Sequence, residues 1–192
     1  MNKKCRSIVL DTSAFIAGFD PSVTSEDAYS VPEVETELLE GSLPKIRFNA
    51  SIESGKLKVI KPSPKYINLV KTVSSEVGDI SFLSEADISL LALAVQLKEN
   101  SQNPVIVTDD YSIQNVAERL GLEFASLTNI GIRYQLHWIL YCPACGKKYP
   151  PNQKIIVCEN CGTQLKRIPL KRRPANRKYK YSQMLGEQKG ES

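Results

Sequence analysis

The chain has 192 residues, 42% of them apolar, with 25 lysines and arginines against 21 acids for a formal charge of +4. That length accommodates one ordinary domain plus a small module, the apolar share excludes a wholly disordered chain, and no apolar run approaches the ~20 residues that a membrane helix needs. The charge is unevenly placed: residues 166–192 hold nine basic residues and two acids, while residues 1–165 hold 16 basic and 19 acidic ones. A basic tail on a slightly acidic body predicts a polyanionic partner, although a solvated chain end explains a charge run equally well.

The opening Met1–Arg6 is basic, but Ile8–Leu10 is followed at once by Asp11, too short an apolar stretch for a secretory signal, so a cytoplasmic protein is expected. Residues 6–10 read as a short buried strand. Thr12 to Phe19 follows as a turn and short helix. Ser30 and Glu33 form a Ser-x-x-Glu capping pattern with Pro32 in the first turn, predicting a helix to about Glu40 that stops at Gly41. A helix over 45–55, a strand over Leu57–Ile60 and, after Pro62 and Pro64, a helix over 65–77 come next. Ser84-Glu85-Ala86-Asp87 is a capping box opening a helix that is apolar nearly all round and therefore buried. Val105–Val107 reads as a strand, 112–120 as a helix capped by Gly121, and Glu123–Ala125 as a last strand. Strands alternating with helices predict an α/β fold with a parallel sheet and right-handed crossovers.

In such a sheet, sites form beyond the carboxyl ends of the strands. Asp11 directly follows the first strand, Asp109 and Asp110 directly follow Val105–Val107, and Asp87 sits near the N-terminus of the buried helix. Each has a plain structural explanation, in a turn, a cap or a helix dipole worth about 0.3–1 kcal/mol. Their coincidence at strand ends points to chemistry instead. Gathered carboxylates cannot approach a phosphodiester directly, but they can hold Mg²⁺ or Mn²⁺, which neutralises the charge growing on the phosphorane and lowers the pKa of a bound water. His137 is the only histidine and lies in no positioning motif, which argues against histidine-based catalysis; Walker and Gly-rich dinucleotide motifs are also absent.

Four of the five cysteines read Cys142-Pro143-Ala144-Cys145, then twelve residues, then Cys158-Glu159-Asn160-Cys161. Two C-x-x-C knuckles at this spacing specify a tetrahedral, closed and hence structural Zn²⁺ site. Gly146 and Gly162 follow the two pairs and suit tight turns. So small a module has little core, and zinc is expected to supply most of its folding free energy, on the order of 10–16 kcal/mol. Cys5 is the odd one and reads as an incidental thiol. Lys147, Lys148, Lys154, Lys166, Arg167, Lys171, Arg172 and Arg173 lie on or beside the module and are candidate RNA contacts. Trp138 and Tyr141 would either stack on bases or pack against the module.

The segments Ile8–Ile16, Val34–Leu38, Leu83–Ile88 with Leu91–Ala94, and Val107–Ala117 resemble the four acidic segments of PIN-domain nucleases. The last two, joined to a C-terminal zinc ribbon, resemble the Nob-type endoribonucleases, in an archaeal-looking compact form; that family cuts precursor small-subunit rRNA to make its mature 3′ end. The resemblance covers about residues 6–168. It implies a PIN-like parallel sheet flanked by helices over 1–127, a linker over 128–138 and a small Cys₄ zinc ribbon over 139–168; the polar, basic composition beyond it predicts a tail over 169–192 that is disordered when alone. It implies a divalent-metal-dependent endoribonuclease with Asp11, Glu37, Asp87 and Asp110 as its acids and Mg²⁺ or Mn²⁺ held by Asp11, Asp87 and Asp110, acting on the pre-ribosomal small subunit. Helix geometry does not choose Glu37 over Glu35; only the motif does. Asp110 is preferred to Asp109 by the family pattern alone, and Thr108 either orients an aspartate or is a plain turn residue. A PIN ribonuclease with another target, such as a toxin or an mRNA-decay enzyme, and a non-catalytic RNA-binding assembly factor are the alternatives.

Overall fold

The computed structural model describes residues 6–127, 134–150, 153 and 155–174, with the side chains of 134–137 and 169–174 left out. Cys5, Lys154 and residues 175–192 lie outside the described residues, as do the side chains of His137, Lys171, Arg172 and Arg173.

The N-terminal part is a five-stranded parallel sheet in the order β3-β2-β1-β4-β5, built from β1 (Arg6–Leu10), β2 (Asp27–Ser30), β3 (Leu57–Val59), β4 (Asn103–Val107) and β5 (Glu123–Ala125). Near-continuous apolar runs in β1 and β4 suit strands covered on both faces. The chain winds outward from β1 through β2 to β3, then returns across the sheet to β4 on the other side of β1. The strand order therefore reverses between β1 and β4, the topological switch point at which open α/β sheets place their sites. There Leu10 pairs with Val107, and the Asp11 amide donates to the Val107 carbonyl at 3.3 Å, so the residues that follow the two strands emerge side by side.

The covering helices are α1 (Thr12–Ile16), α2 (Pro32–Glu37), α3 (Leu43–Glu53), α4 (Pro64–Val77), α5 (Glu85–Glu99) and α6 (Tyr111–Arg119). As its sequence predicts, α5 is buried on nearly every face, from Ala86 and Ile88 to Leu97, and packs against α4, β1 and β4. Phe15 of α1 and Phe48 of α3 meet edge-to-face at 5.1 Å, seating α3 against α1 and beside β3.

The Ser30 expectation is corrected. Ser30 closes strand β2, and its hydroxyl donates to the Leu10 carbonyl at 2.8 Å rather than capping a helix. A buried hydroxyl must find a partner, and parallel pairing with β1 brings that carbonyl into reach. The following α2 starts after Val31 with no side-chain cap, and it ends at Glu37, not Glu40, because buried Leu38 turns extended into the core.

The C-terminal part is a three-stranded antiparallel sheet, β7-β6-β8, with β6 at Tyr134–Tyr141, β7 at Lys148–Tyr149 and β8 at Lys166–Pro174. Residues 134–138, expected as linker, are thus strand, and so are 169–174, expected as disordered tail. The two stretches pair with each other, Tyr134 with Pro174 through Trp138 with Pro169, so each supplies the backbone partners that neither would have as an isolated segment. This sheet carries its own small core of Cys142, Tyr149 and Cys158 with Leu140, Ile155 and Leu165, separate from the core of the parallel sheet.

Candidate active site

Asp11 is the floor of the site. Its carboxylate accepts from the Thr12 amide at 2.7 Å and from the Ser13 and Thr108 hydroxyls at 2.8 Å each, and it is 5% exposed. Burial pushes its pKa up, against the pull of those three donors. Thr108, fully buried, does more than occupy a turn. While its hydroxyl donates to Asp11 it accepts from the Asp110 amide at 3.1 Å, so one side chain fixes the ends of both β1 and β4.

Asp110 caps α6, its carboxylate accepting from the Ser112 amide at 2.6 Å and the Ile113 amide at 3.4 Å. Asp87 occupies the third position of α5 and accepts from the Ser84 amide at 2.7 Å, while its own amide donates to the Ser84 hydroxyl at 3.1 Å, completing the capping box. Burial first, then the nearby carboxylates of Asp11 and Asp110, pushes the Asp87 carboxyl up to about 6. Glu37, at the end of α2, joins the group through two hydroxyls: Thr12 donates to one of its oxygens at 2.6 Å and Ser84 to the other at 3.2 Å.

The four acids thus share one edge, from buried Asp11 through half-buried Asp87 to exposed Glu37 and Asp110. Among the described residues none of the four forms an ion pair with a lysine or arginine. Gathered carboxylates without basic counter-charge, two of them raising the pKa of Asp87, are a donor set suited to a hard divalent cation. They are not drawn into a closed cage. Among the described residues, only the four cysteines bring three or more candidate ligand atoms within 4.8 Å of one another.

The alternative acids are engaged elsewhere. Asp109 accepts from the Ser126 hydroxyl and, at 3.1 Å, from the Leu127 amide, tying the end of β4 to the end of β5. Glu35 pairs with Lys45 at 3.4 Å. Sequence reasoning missed three polar residues that set up the edge. Ser13 reads as a plain helix residue, Ser84 only as a cap, and buried Asp79, just past the Gly78 turn, has no motif of its own. Asp79 accepts from Asn115 of α6 at 2.5 Å and is held by Arg167 of β8. Arg167, a candidate RNA contact in the sequence, is engaged within the protein. Its guanidinium faces the protein, between the rings of Phe82 and Trp138, and Trp138 packs rather than standing free. Lys148 and Lys166 are exposed, and Lys147 pairs with Glu159 at 3.7 Å.

The Cys142 and Cys161 sulfurs lie 3.4 Å apart and those of Cys145 and Cys158 3.5 Å apart, too far for disulfides and near the ~3.8 Å edge of a tetrahedron with Zn–S bonds of about 2.3 Å. The two knuckles are built alike. The Gly146 amide donates to the Cys142 carbonyl and the Gly162 amide to the Cys158 carbonyl, at 3.0 and 2.8 Å, and both glycines have positive φ, where a Cβ would be strained. The Tyr149 hydroxyl contacts the Cys158 sulfur at 3.1 Å from beneath. The cluster fits a structural zinc.

A carboxylate edge at the switch point of this sheet, beside a four-cysteine module, defines a PIN-domain ribonuclease, and a model of the PIN domain of ribonuclease matches residues 8–97. The chain is 37% identical over 166 residues to Endoribonuclease Nob1 of Pyrococcus abyssi, covering 86% of this chain and 96% of that protein. It is 38% identical to Endoribonuclease Nob1 of Methanocaldococcus jannaschii, covering 86% and 79%, and 35% identical to Ribonuclease VapC1 of Thermoplasma acidophilum, covering 88% and 82%. The chain belongs to the Nob1 family of PIN-domain endoribonucleases.

Proposed function

We propose that this chain is a divalent-cation-dependent endoribonuclease that cuts precursor small-subunit rRNA to generate its mature 3′ end, in the cytoplasm and on the pre-ribosomal particle. The observation that carries the reading is the shared edge of Asp11, Glu37, Asp87 and Asp110, linked by the hydroxyls of Thr12, Ser84 and Thr108 and lacking a basic partner among the described residues. The choice of RNA rests on the Nob-type motif pattern and on the family.

Asp11, Asp87 and Asp110 would hold Mn²⁺ or Mg²⁺, which supplies charge neutralisation at the phosphate and a more acidic water. The chain's own part is orientation. Ser13, Thr12 and Thr108 fix the Asp11 carboxylate, Ser84 fixes Asp87, and Thr12 with Ser84 fixes Glu37 at the exposed rim, where a carboxylate can take a proton from the attacking water as the P–O bond to the leaving oxygen breaks. Lys147, Lys148, Lys154, Lys166, Lys171, Arg172 and Arg173 supply phosphate contacts from the zinc module and the strand and tail beyond it.

Incubating the protein with precursor small-subunit rRNA, with and without Mn²⁺, and mapping the new ends tests both parts. A single Mn²⁺-dependent cut at the mature 3′ end is expected. Cuts elsewhere, as for a PIN ribonuclease with another target, would overturn the substrate, and no cut in any RNA would favour a non-catalytic assembly factor. Asp11→Asn is expected to abolish cleavage and leave RNA binding near normal.

A further inference from the structure

We propose that Arg167 is a positioning residue of the nuclease edge: the cysteine module inserts this guanidinium between Phe82 and Trp138, holds Asp79 with it, and through Asp79 fixes the two segments that present Asp110 and Asp87. The proposal rests on the reading of that edge as the nuclease centre.

The geometry is that of a clamp. Arg167 belongs to β8 and Trp138 to β6, paired strands that run into the four-cysteine cluster. The guanidinium carbon sits 4.0 Å from the Phe82 ring centroid and 4.0 Å from that of Trp138, so both of its faces are covered. A terminal nitrogen donates to the Gly78 carbonyl at 2.7 Å and to the Asp79 carboxylate. Only a planar cation with donors at its edge can stack and chelate in this way, and a lysine cannot.

Asp79 is 2% exposed and passes the constraint on in two directions. Its other carboxylate oxygen accepts from Asn115 at 2.5 Å, and Asn115 lies on α6, the helix that Asp110 caps. Its backbone carbonyl accepts from the Phe82 amide at 2.8 Å and starts the 3₁₀ turn Ile80–Phe82 that leads to Ser84. Ser84 is the residue that holds Asp87 through its amide and Glu37 through its hydroxyl. One arginine from the C-terminal module therefore braces both routes to the acids.

A phosphate contact by Arg167 would require it to leave both rings and abandon a buried carboxylate. The two roles separate in kinetics. The test uses the full-length, zinc-loaded chain as wild type, Arg167→Ala, Arg167→Lys and the double variant Arg167→Ala with Asp79→Asn. Three quantities are measured: single-turnover cleavage of a precursor small-subunit rRNA fragment with Mn²⁺ at saturating protein, RNA affinity across salt, and amide hydrogen exchange. A positioning role predicts that Arg167→Ala slows the cleavage step roughly 10- to 100-fold, with RNA affinity and its salt slope as in wild type. Arg167→Lys fails to rescue, and the double variant recovers part of the rate because the unpaired buried charge is gone. Exchange quickens at the amides of Asp87, Ser112 and Ile113 and stays unchanged in β1 and β4. Wild-type cleavage by Arg167→Ala, or loss confined to affinity with a shallower salt slope, would overturn the proposal. If no form cuts the RNA, the nuclease reading of the edge fails, while amide exchange still decides whether Arg167 braces both segments.

Discussion

Adjacent aspartates at the end of β4 have opposite duties. Asp110 lies near enough to Asp87 to raise its pKa and caps α6, whereas Asp109 binds Ser126 and Leu127 just past the next strand. Asp110→Asn is expected to cut the cleavage rate severely with little change in melting temperature. Asp109→Asn is expected to act mainly on stability, by about 1–2 kcal/mol for weakened hydrogen bonds; single-turnover rates and thermal melts of the two variants side by side decide it. Nothing in the run Thr108-Asp109-Asp110 distinguishes the two acids, because the difference arises from what each faces, the end of β5 for Asp109 and the start of α6 for Asp110. The pair Glu35 and Glu37 was equally open in sequence, and Lys45, ten residues on, is what engages Glu35.

Asp87 makes a pH-dependent prediction. Its folded value of about 6 lies above the ordinary 3.8, so folding favours the protonated form. The corresponding stability is complete below pH 3.8 and is lost as pH rises through 6. Without added divalent ion, the melting temperature of the wild type should therefore fall between about pH 4 and just above pH 6 relative to Asp87→Asn, which does not titrate. Adding Mn²⁺ at the upper end should recover more stability in the wild type than in the variant. Parallel curves for the two proteins would show that neither burial nor the neighbouring acids raise the Asp87 carboxyl at this edge.

At the scale of elements, the start of α5 does two jobs at once. Ser84 caps the helix and also reaches across to Glu37. Ser84→Ala should cost about 0.5–2 kcal/mol as a lost cap on the Asp87 amide and in addition slow cleavage, since Glu37 loses a partner and the turn that presents Asp87 loosens. Ser84→Thr, which keeps the hydroxyl, should retain more of both, and melts with single-turnover rates would show it. The capping box itself was legible because its spacing is local. So were β1, β4, β5 and the buried helix α5, whose apolar patterns need no knowledge of neighbours. β2 was not legible: Asp27-Ala28-Tyr29-Ser30 has no apolar run, and it becomes a strand only because β1 and β3 flank it. The capping pattern at Ser30 was a coincidence of spacing, overridden by a buried hydroxyl whose partner lies 20 positions away. The outer parts of β6 and β8 were hidden for the same reason, since each is an extended segment only in the presence of the other.

Taken whole, the molecule has two cores and a charged contact, Arg167 with Asp79, between them. The parallel sheet buries its own apolar cluster, and the small sheet rests on four cysteines with little else beneath them. Replacing Cys161 with Ser should remove the metal and unfold the small sheet, because zinc supplies most of the folding free energy of such modules. The larger domain should keep its fold but not its full stability. Losing Arg167 strands the Asp79 carboxylate, and breaking a buried ion pair from one side costs about 3–5 kcal/mol. Water entering the vacated slot between Phe82 and Asp79 should bring this toward the 1–3 kcal/mol typical of an unsatisfied buried group. Thermal unfolding of Cys161→Ser should thus show the nuclease domain melting below its wild-type temperature, and adding Asp79→Asn should return part of the loss by deleting the stranded charge. If the nuclease domain melts at the wild-type temperature once zinc is lost, the two cores are energetically independent and the Arg167–Asp79 contact couples nothing.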